Sequence, residues 1–257
     1  MSGKRDREAR REERLREGEG AAATERRQRM IKLASAIGFL ALAVVAVLIV
    51  VSQSDGGGGG DAENISGAAE VNAELQGIPQ KDMVLGSESA KATLVEFADL
   101  QCPFCKGFAE EILPAVIDGK VRDGEARIEY RNFTIIGPES TPAGAAAIAA
   151  GKQGRGWNFV KLFYRNQGAE GTSYVTDEFL TAIARAARVP DIARWNRDRK
   201  SKSVLDEVSK TTAEAEGLGF HGTPSFAVEG AATQGLEPLG TPSSSGDLES
   251  ALEKAAG

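Results

Sequence analysis

The sequence predicts a mixed α/β domain with a helical insertion, preceded by one transmembrane helix and a disordered tail. Three observations carry this. A strand-like run, Ala92 to Ala98, leads into a helix-like stretch and then into an alternating run from Ala126 to Phe133, a β-α-β opening. Residues at about 140–217 then hold several helix-period segments in succession. Ser225 to Val228 and a closing helix give a β-(β)-α end, and no internal repeat is present.

Residues 1–32 are nearly all polar, with eleven Lys or Arg against seven Asp or Glu, net +4. The whole chain is −6, so the remaining residues carry −10. Such a tail buries too little apolar surface to order itself. Residues 33–51 contain no charge. As a helix they span about 28 Å, close to the hydrocarbon core of a bilayer. Basic residues precede this run and acidic ones (Asp55, Asp61, Glu63) follow it, which puts the tail in the cytoplasm and everything after Ser52 outside. A cleaved signal peptide has a shorter charged region and a shorter apolar run, so an uncleaved anchor fits better. Residues 52–77, with five consecutive glycines, read as a flexible tether.

The compact domain is expected over 78–257. Met83 to Gly86 reads as a short edge strand. Thr93 to Ala98 is apolar enough for a buried strand, and Pro103 to Ile117 has helical spacing, with Pro114 bending it near its end. Within the insertion, helices are expected over Pro142 to Gly151, Trp157 to Tyr164, Asp177 to Ala187 behind an N-cap at Thr176, Pro190 to Asn196, and Ser203 to Glu216. Trp157, Phe159, Phe163 and Tyr164 read as core of this insertion. Arg194, Arg197, Arg199, Lys200 and Lys202 read as a solvated face. A weak hairpin strand lies near Thr233 to Pro238, and Gly246-Asp247 opens the terminal helix.

The only two cysteines form Cys102-Pro103-Phe104-Cys105, where a strand passes into a helix. With Pro103 at the first helical position, Cys102 is the N-cap and faces unpaired backbone N–H groups, which favour a thiolate. Cys102 is thus expected to be exposed and nucleophilic, with Cys105 beneath it as the resolving thiol. A disulfide closing so short a loop removes little unfolded-state entropy, so a purely stabilising role is a poor fit. Two cysteines and one histidine, His221, make no four-thiolate zinc site, and no metal or other cofactor is expected. His221 itself reads as a loop residue. The acidic outer portion excludes nucleic acid as a natural partner.

The segment Val95-Glu96-Phe97-Ala98-Asp99-Leu100-Gln101-Cys102-Pro103-Phe104-Cys105 resembles the active-site segment of DsbA-like thioredoxin-fold thiol–disulfide oxidoreductases. Gly222-Thr223-Pro224-Ser225-Phe226 resembles the cis-proline loop of the same group. The likeness spans about 78–255 and implies a thioredoxin fold with a helical insertion. It implies that Pro224 is cis and packs on the C-x-x-C, and that Thr223 offers backbone hydrogen bonds to a bound peptide. It also implies a buried acid, Glu96, beneath the second cysteine, able to take its proton. Phe104 stands where the strongest oxidants of the group carry histidine, which argues against an extreme potential.

The resemblance implies a cell-membrane enzyme that forms disulfides in reduced or misoxidised exported proteins and is reoxidised by a membrane quinone-linked partner. An isomerase or reductase on the same fold is the nearest alternative. A separate dimerisation domain, as in related isomerases, does not fit in the short stretch after the tether. A non-catalytic module that binds extended peptide is the third reading.

Overall fold

The computed structural model describes residues 65–257. The expected tail, the span over 33–51 and the glycine run lie outside the described residues. Among the described residues, no helix is long and apolar enough to cross a membrane.

Six strands form one sheet in the order β1-β2-β4-β3-β5-β6. They are β1 (Gln80–Lys81), β2 (Val84–Gly86), β3 (Ala92–Ala98), β4 (Ala126–Asn132), β5 (Ser225–Gly230) and β6 (Glu237–Leu239). β3 and β4 are parallel, with Ala92 opposite Ala126 and Ala98 opposite Asn132. All other pairs are antiparallel. A parallel pair needs a crossover. Here it consists of α2 (Pro103–Glu111), α3 (Leu113–Val116) and a π-helical turn, Ile117–Val121. The expected single helix is interrupted after Glu111, because Pro114 in the first turn of α3 has no N–H to continue the ladder.

β3 is buried along its whole length, which is why its sequence is a continuous apolar run. Its residues divide between two layers. Leu94 and Ala98 join the main core, together with Cys105, Tyr130, Trp157 and Tyr164. Val95 and Phe97 join a smaller cluster on the other face with Phe133, Ala215 and Ala227. The period of two along a strand places Glu96 on the main-core face.

The insertion comprises α4 (Ser140–Gly151), α5 (Gly156–Arg165), α6 (Asp177–Ala186), α7 (Ile192–Asp198) and α8 (Lys202–Gly217). Side-chain caps set several of their starts: Thr176 Oγ1 accepts from Phe179 N at 3.1 Å and Asp191 Oδ1 from Arg194 N at 2.8 Å. The alanine-rich α4 is buried on nearly every side and packs against the other helices of the insertion. The terminal helix, α9 (Ser245–Ala256), begins with a capping box between Ser244 and Asp247. Trp157, Phe159, Phe163 and Tyr164 are all fully buried.

Four expectations are corrected. The stretch 52–77 is not tether throughout, because α1 (Ala68–Glu74) folds onto the domain and buries Val71 and Leu75. β2 is not an edge strand, since β1 pairs with its outer side. The last hairpin strand is confined to Glu237–Leu239. Arg199 is not on a solvated face. It is buried, stacks on Trp195 at 5.0 Å and pairs with Asp177 at 2.8 Å, so its planar guanidinium is part of the packing.

Candidate active site

Helix α2 buries Cys105, Phe108 and Ala109, positions one turn apart on one face. Phe108 packs on Phe226 of β5 with ring centroids 4.4 Å apart, which ties α2 to the sheet beside the Gly222–Phe226 loop. Phe104, in the first turn of α2, is 77% exposed. Cys102 is the N-cap, with extended backbone and Pro103 following it. Its Sγ lies 3.3 Å from the carbonyl oxygen of Thr223, to which the thiol donates. The Thr223–Pro224 peptide bond is cis. The structure therefore brings Cys102, Cys105, Thr223 and Pro224 together.

The expectation of an exposed Cys102 is corrected: it is only 2% exposed. The Thr223 carbonyl sits directly on the sulfur, and a loop lying over an N-cap shields it where a bare helix end would not. Both cysteines are free thiols here. His221 is exposed in the loop before Thr223.

The two thiols are driven apart electrostatically. The Cys105 thiol, by donating to the Cys102 sulfur, is the largest influence holding Cys102 down, to about 6. Burial opposes this, while the Thr223 side chain and the amides of Phe104 and Cys105 add to it. The Thr223 hydroxyl has no partner while Cys102 is a thiol, so it is a donor available to a thiolate. Cys105 is pushed well above the ordinary thiol value, first by burial and then by Cys102 and Glu96. One thiol thus ionises readily and the other resists ionisation.

Glu96 is 1% exposed and its Oε1 has no hydrogen-bond partner. Burial pushes its carboxyl up to about 8, against the Lys161 ammonium, which favours the charged form. A charge on Cys102 raises it further. Such a carboxyl is neutral near pH 7 yet close to ionisation, so it can exchange a proton with a neighbouring group.

A set of polar residues with no role assigned from sequence holds the loop before Cys102. Asp99 is buried. One of its oxygens accepts from Gln101 N at 2.9 Å and the other from Ile135 N and Ile136 N at 2.9 and 3.0 Å. Tyr164 donates to Asp99 O, and Gln167 donates to Leu100 O and Cys102 O at 2.7 and 3.1 Å. Gln101 donates to Ser140 Oγ at 2.9 Å. Only an acid next to an apolar strand end hinted at any of this; Gln167 comes from sixty-five residues away.

A family profile described as thioredoxin matches residues 79–254. A probable disulfide bond formation protein D of Bacillus cereus is 31% identical over 150 residues, covering 57% of this chain and 69% of that protein. A thioredoxin-like oxidoreductase from Silicibacter pomeroyi is 32% identical with a TM-score of 0.50, covering 67% of this chain and 90% of that one. Oxidised BdbD of Bacillus subtilis is similar in fold at a TM-score of 0.60 and 20% identity, covering 70% of this chain and 97% of that one. With a C-x-x-C at a helix N-terminus on this fold, the chain belongs to the thioredoxin family and is a DsbA-like thiol–disulfide oxidoreductase.

Proposed function

We propose that this protein forms disulfides in exported proteins through Cys102 and Cys105, acting outside the cell membrane to which residues 33–51 tether it. The observation that carries the reading is the asymmetry of the two thiols at the start of α2. A Cys102 that ionises at about 6 stabilises the reduced dithiol, and a stabilised reduced form makes the disulfide a better oxidant.

In the oxidising half of the cycle, a client thiolate attacks Cys102 Sγ of the disulfide-bonded enzyme. The Cys102–Cys105 bond breaks and Cys105 leaves as a thiolate. Because burial strongly disfavours that charge, Cys105 takes a proton at once, and Glu96 is the acid beneath it. The client's second thiolate then attacks the client sulfur of the mixed disulfide, and Cys102 departs as a stabilised thiolate. The client has lost two electrons and the enzyme has gained them. A membrane partner with its own disulfide restores the enzyme: Cys102 attacks it, Glu96 takes the Cys105 proton, and the Cys105 thiolate closes the bond.

Thr223 and Pro224 form the edge on which an extended client segment lies. The Thr223 carbonyl now occupied by the Cys102 thiol becomes free to accept from a client backbone N–H once Cys102 is a thiolate or a mixed disulfide. Phe104, exposed beside the sulfurs, gives that segment an apolar contact.

The test is the Cys102–Cys105 reduction potential of the full chain, measured against glutathione, with oxidation of a reduced unfolded protein as the activity. A potential well above about −270 mV, a reductant's value, with stoichiometric client oxidation fits the proposal. A potential at or below that value sinks the oxidase direction. Cys105→Ser is expected to accumulate mixed disulfides with clients, and Cys102→Ser none. Full biological function with Cys102→Ser would favour the peptide-binding module.

A further inference from the structure

One side chain of the helical insertion holds the backbone of the redox motif itself. Gln167 lies just past the end of α5, and its Nε2 donates to Leu100 O at 2.7 Å and to Cys102 O at 3.1 Å. A carboxamide nitrogen carries two hydrogens, so both are spent on the chain that enters α2. Other carbonyls of that chain are held as well. Ala98 O accepts from Phe133 N at 3.0 Å and from the Tyr130 hydroxyl at 3.1 Å. Asp99 O accepts from Cys102 N at 3.0 Å and from the Tyr164 hydroxyl at 3.3 Å. Gln167 is itself anchored. Its N–H donates to Tyr164 O at 3.1 Å. A Cβ on the following Gly168 would lie 2.6 Å from the Tyr174 ring, so the chain leaving Gln167 runs tight against that ring.

The Cys102 carbonyl is the handle that matters. Pro103 has no N–H, so the peptide between Cys102 and Pro103 can be hydrogen-bonded only through its oxygen. Lys106 N reaches that oxygen at 3.2 Å as the first bond of α2, and Gln167 supplies the second. Rotation about the Cα–C bond of Cys102, at ψ 121°, sets where this oxygen points. The same rotation sets how the helix start faces the Cys102 sulfur. The N–H groups at the second and third helical positions, Phe104 and Cys105, face the N-cap side chain. Hydrogen bonds weaken steeply when bent, so fixing the carbonyl keeps those two donors on the sulfur.

We propose that Gln167 is a positioning residue of the redox reaction: it clamps the Cys102 carbonyl, aims the sulfur at the first amides of α2, and so lets the helical insertion set how well the Cys102 thiolate is stabilised. This rests on the reading of Cys102 and Cys105 as the redox pair. The effect runs through geometry, since Gln167 is uncharged. The titratable groups facing Cys102 are Cys105 on α2 and Glu96 on β3, and neither bonds Gln167.

The test is thiolate absorbance of the reduced full chain across pH, together with the disulfide equilibrium against glutathione near pH 8. Gln167→Leu keeps the bulk of the side chain and removes both donors. It is expected to raise the Cys102 midpoint by about one pH unit. The equilibrium should then shift about tenfold toward the disulfide form, or about 30 mV. Gln167→Asn, one methylene short of the two carbonyls, should move both readouts in the same direction. Asn166→Ala is the control. It breaks the bonds of Asn166 to Ser66 and Leu162 at the same end of α5, and Asn166 bonds no atom of residues 98–102. It should cost stability and leave the midpoint in place. A Gln167→Leu midpoint equal to the parent's, or one matched by Asn166→Ala, overturns the proposal. A parent that forms no Cys102–Cys105 disulfide with glutathione overturns the redox-pair reading, and the proposal with it.

Discussion

The substitution Glu96→Gln is expected to make this protein more stable, by an amount that grows with pH. In the unfolded chain the carboxyl ionises near its ordinary value of 4.5, whereas in the fold burial holds it up to about 8. An acid with a raised folded value stabilises the fold fully only below the unfolded value. That stability is lost as pH climbs through the folded value, because the unfolded chain releases its proton first. Between those two values each pH unit costs about 1.4 kcal/mol. The native state therefore loses less than about 1 kcal/mol at pH 5, about 3 at pH 7 and about 4 at pH 8. A glutamine side chain has no such dependence; its unpaired amide leaves a constant offset. The assay is urea unfolding of both reduced proteins between pH 5 and 8.5. The difference in stability between variant and parent should swing by about 4 kcal/mol toward the variant, or about 1–2 M in urea midpoint. The Cys102 contribution is common to both proteins and cancels to first order. A difference that stays flat across this range would refute both the burial of a neutral carboxyl and its capacity to move a proton at working pH. The same substitution should slow mixed-disulfide release, since stability and proton transfer draw on the same group.

Other substitutions probe the thiols and the frame around them. Thiolate absorbance of the reduced protein should titrate with a midpoint at about 6, and Cys105→Ala should raise that midpoint by removing the leading donor to Cys102. Because this value is depressed, the stability that the Cys102 thiolate contributes is present at high pH and lost as pH falls through about 6, as urea unfolding against Cys102→Ser would show. Asp99→Asn exchanges an oxygen acceptor for an amide that donates, leaving backbone N–H groups of Gln101 or of Ile135 and Ile136 unpaired. It should cost about 2–3 kcal/mol and lower client turnover, checked by thermal unfolding and activity together. Gly144→Ala would drive a Cβ into Asn132 Oδ1 and should destabilise by about 1–3 kcal/mol without moving the Cys102 midpoint. Gly107→Ala, in open space on α2, should instead stabilise by about 0.5–1 kcal/mol.

Local sequence was enough for the elements with strong local signals. β3 is a continuous apolar run, β4 alternates, and α6 begins at the Thr176 cap. The C-x-x-C, its placement at a strand-to-helix junction and the order of its two cysteines were legible for the same reason: the N-cap geometry is decided by neighbours. Helix α1 was not legible, because Ala68–Glu74 buries only Val71, with Leu75 at its C-cap, and needs the domain surface to fold against. Arg199 misled because charge alone does not reveal that Trp195 and Asp177 enclose it.

Short motifs in the chain were therefore sufficient to reveal the family and to place the two cysteines at a helix start. These depend on a few adjacent residues and on the physics of a helix start. How strongly the site is biased is a property of the folded molecule. The Thr223 carbonyl on the Cys102 sulfur comes from a hundred and twenty-one residues away, and the ion pair between Lys161 and Glu74 spans eighty-seven. Burial of Glu96, Cys105 and Lys161 exists only once the sheet, α2, α5 and α1 have closed on one another. Desolvation and Coulomb interaction depend on distance through space, and no local pattern encodes that distance.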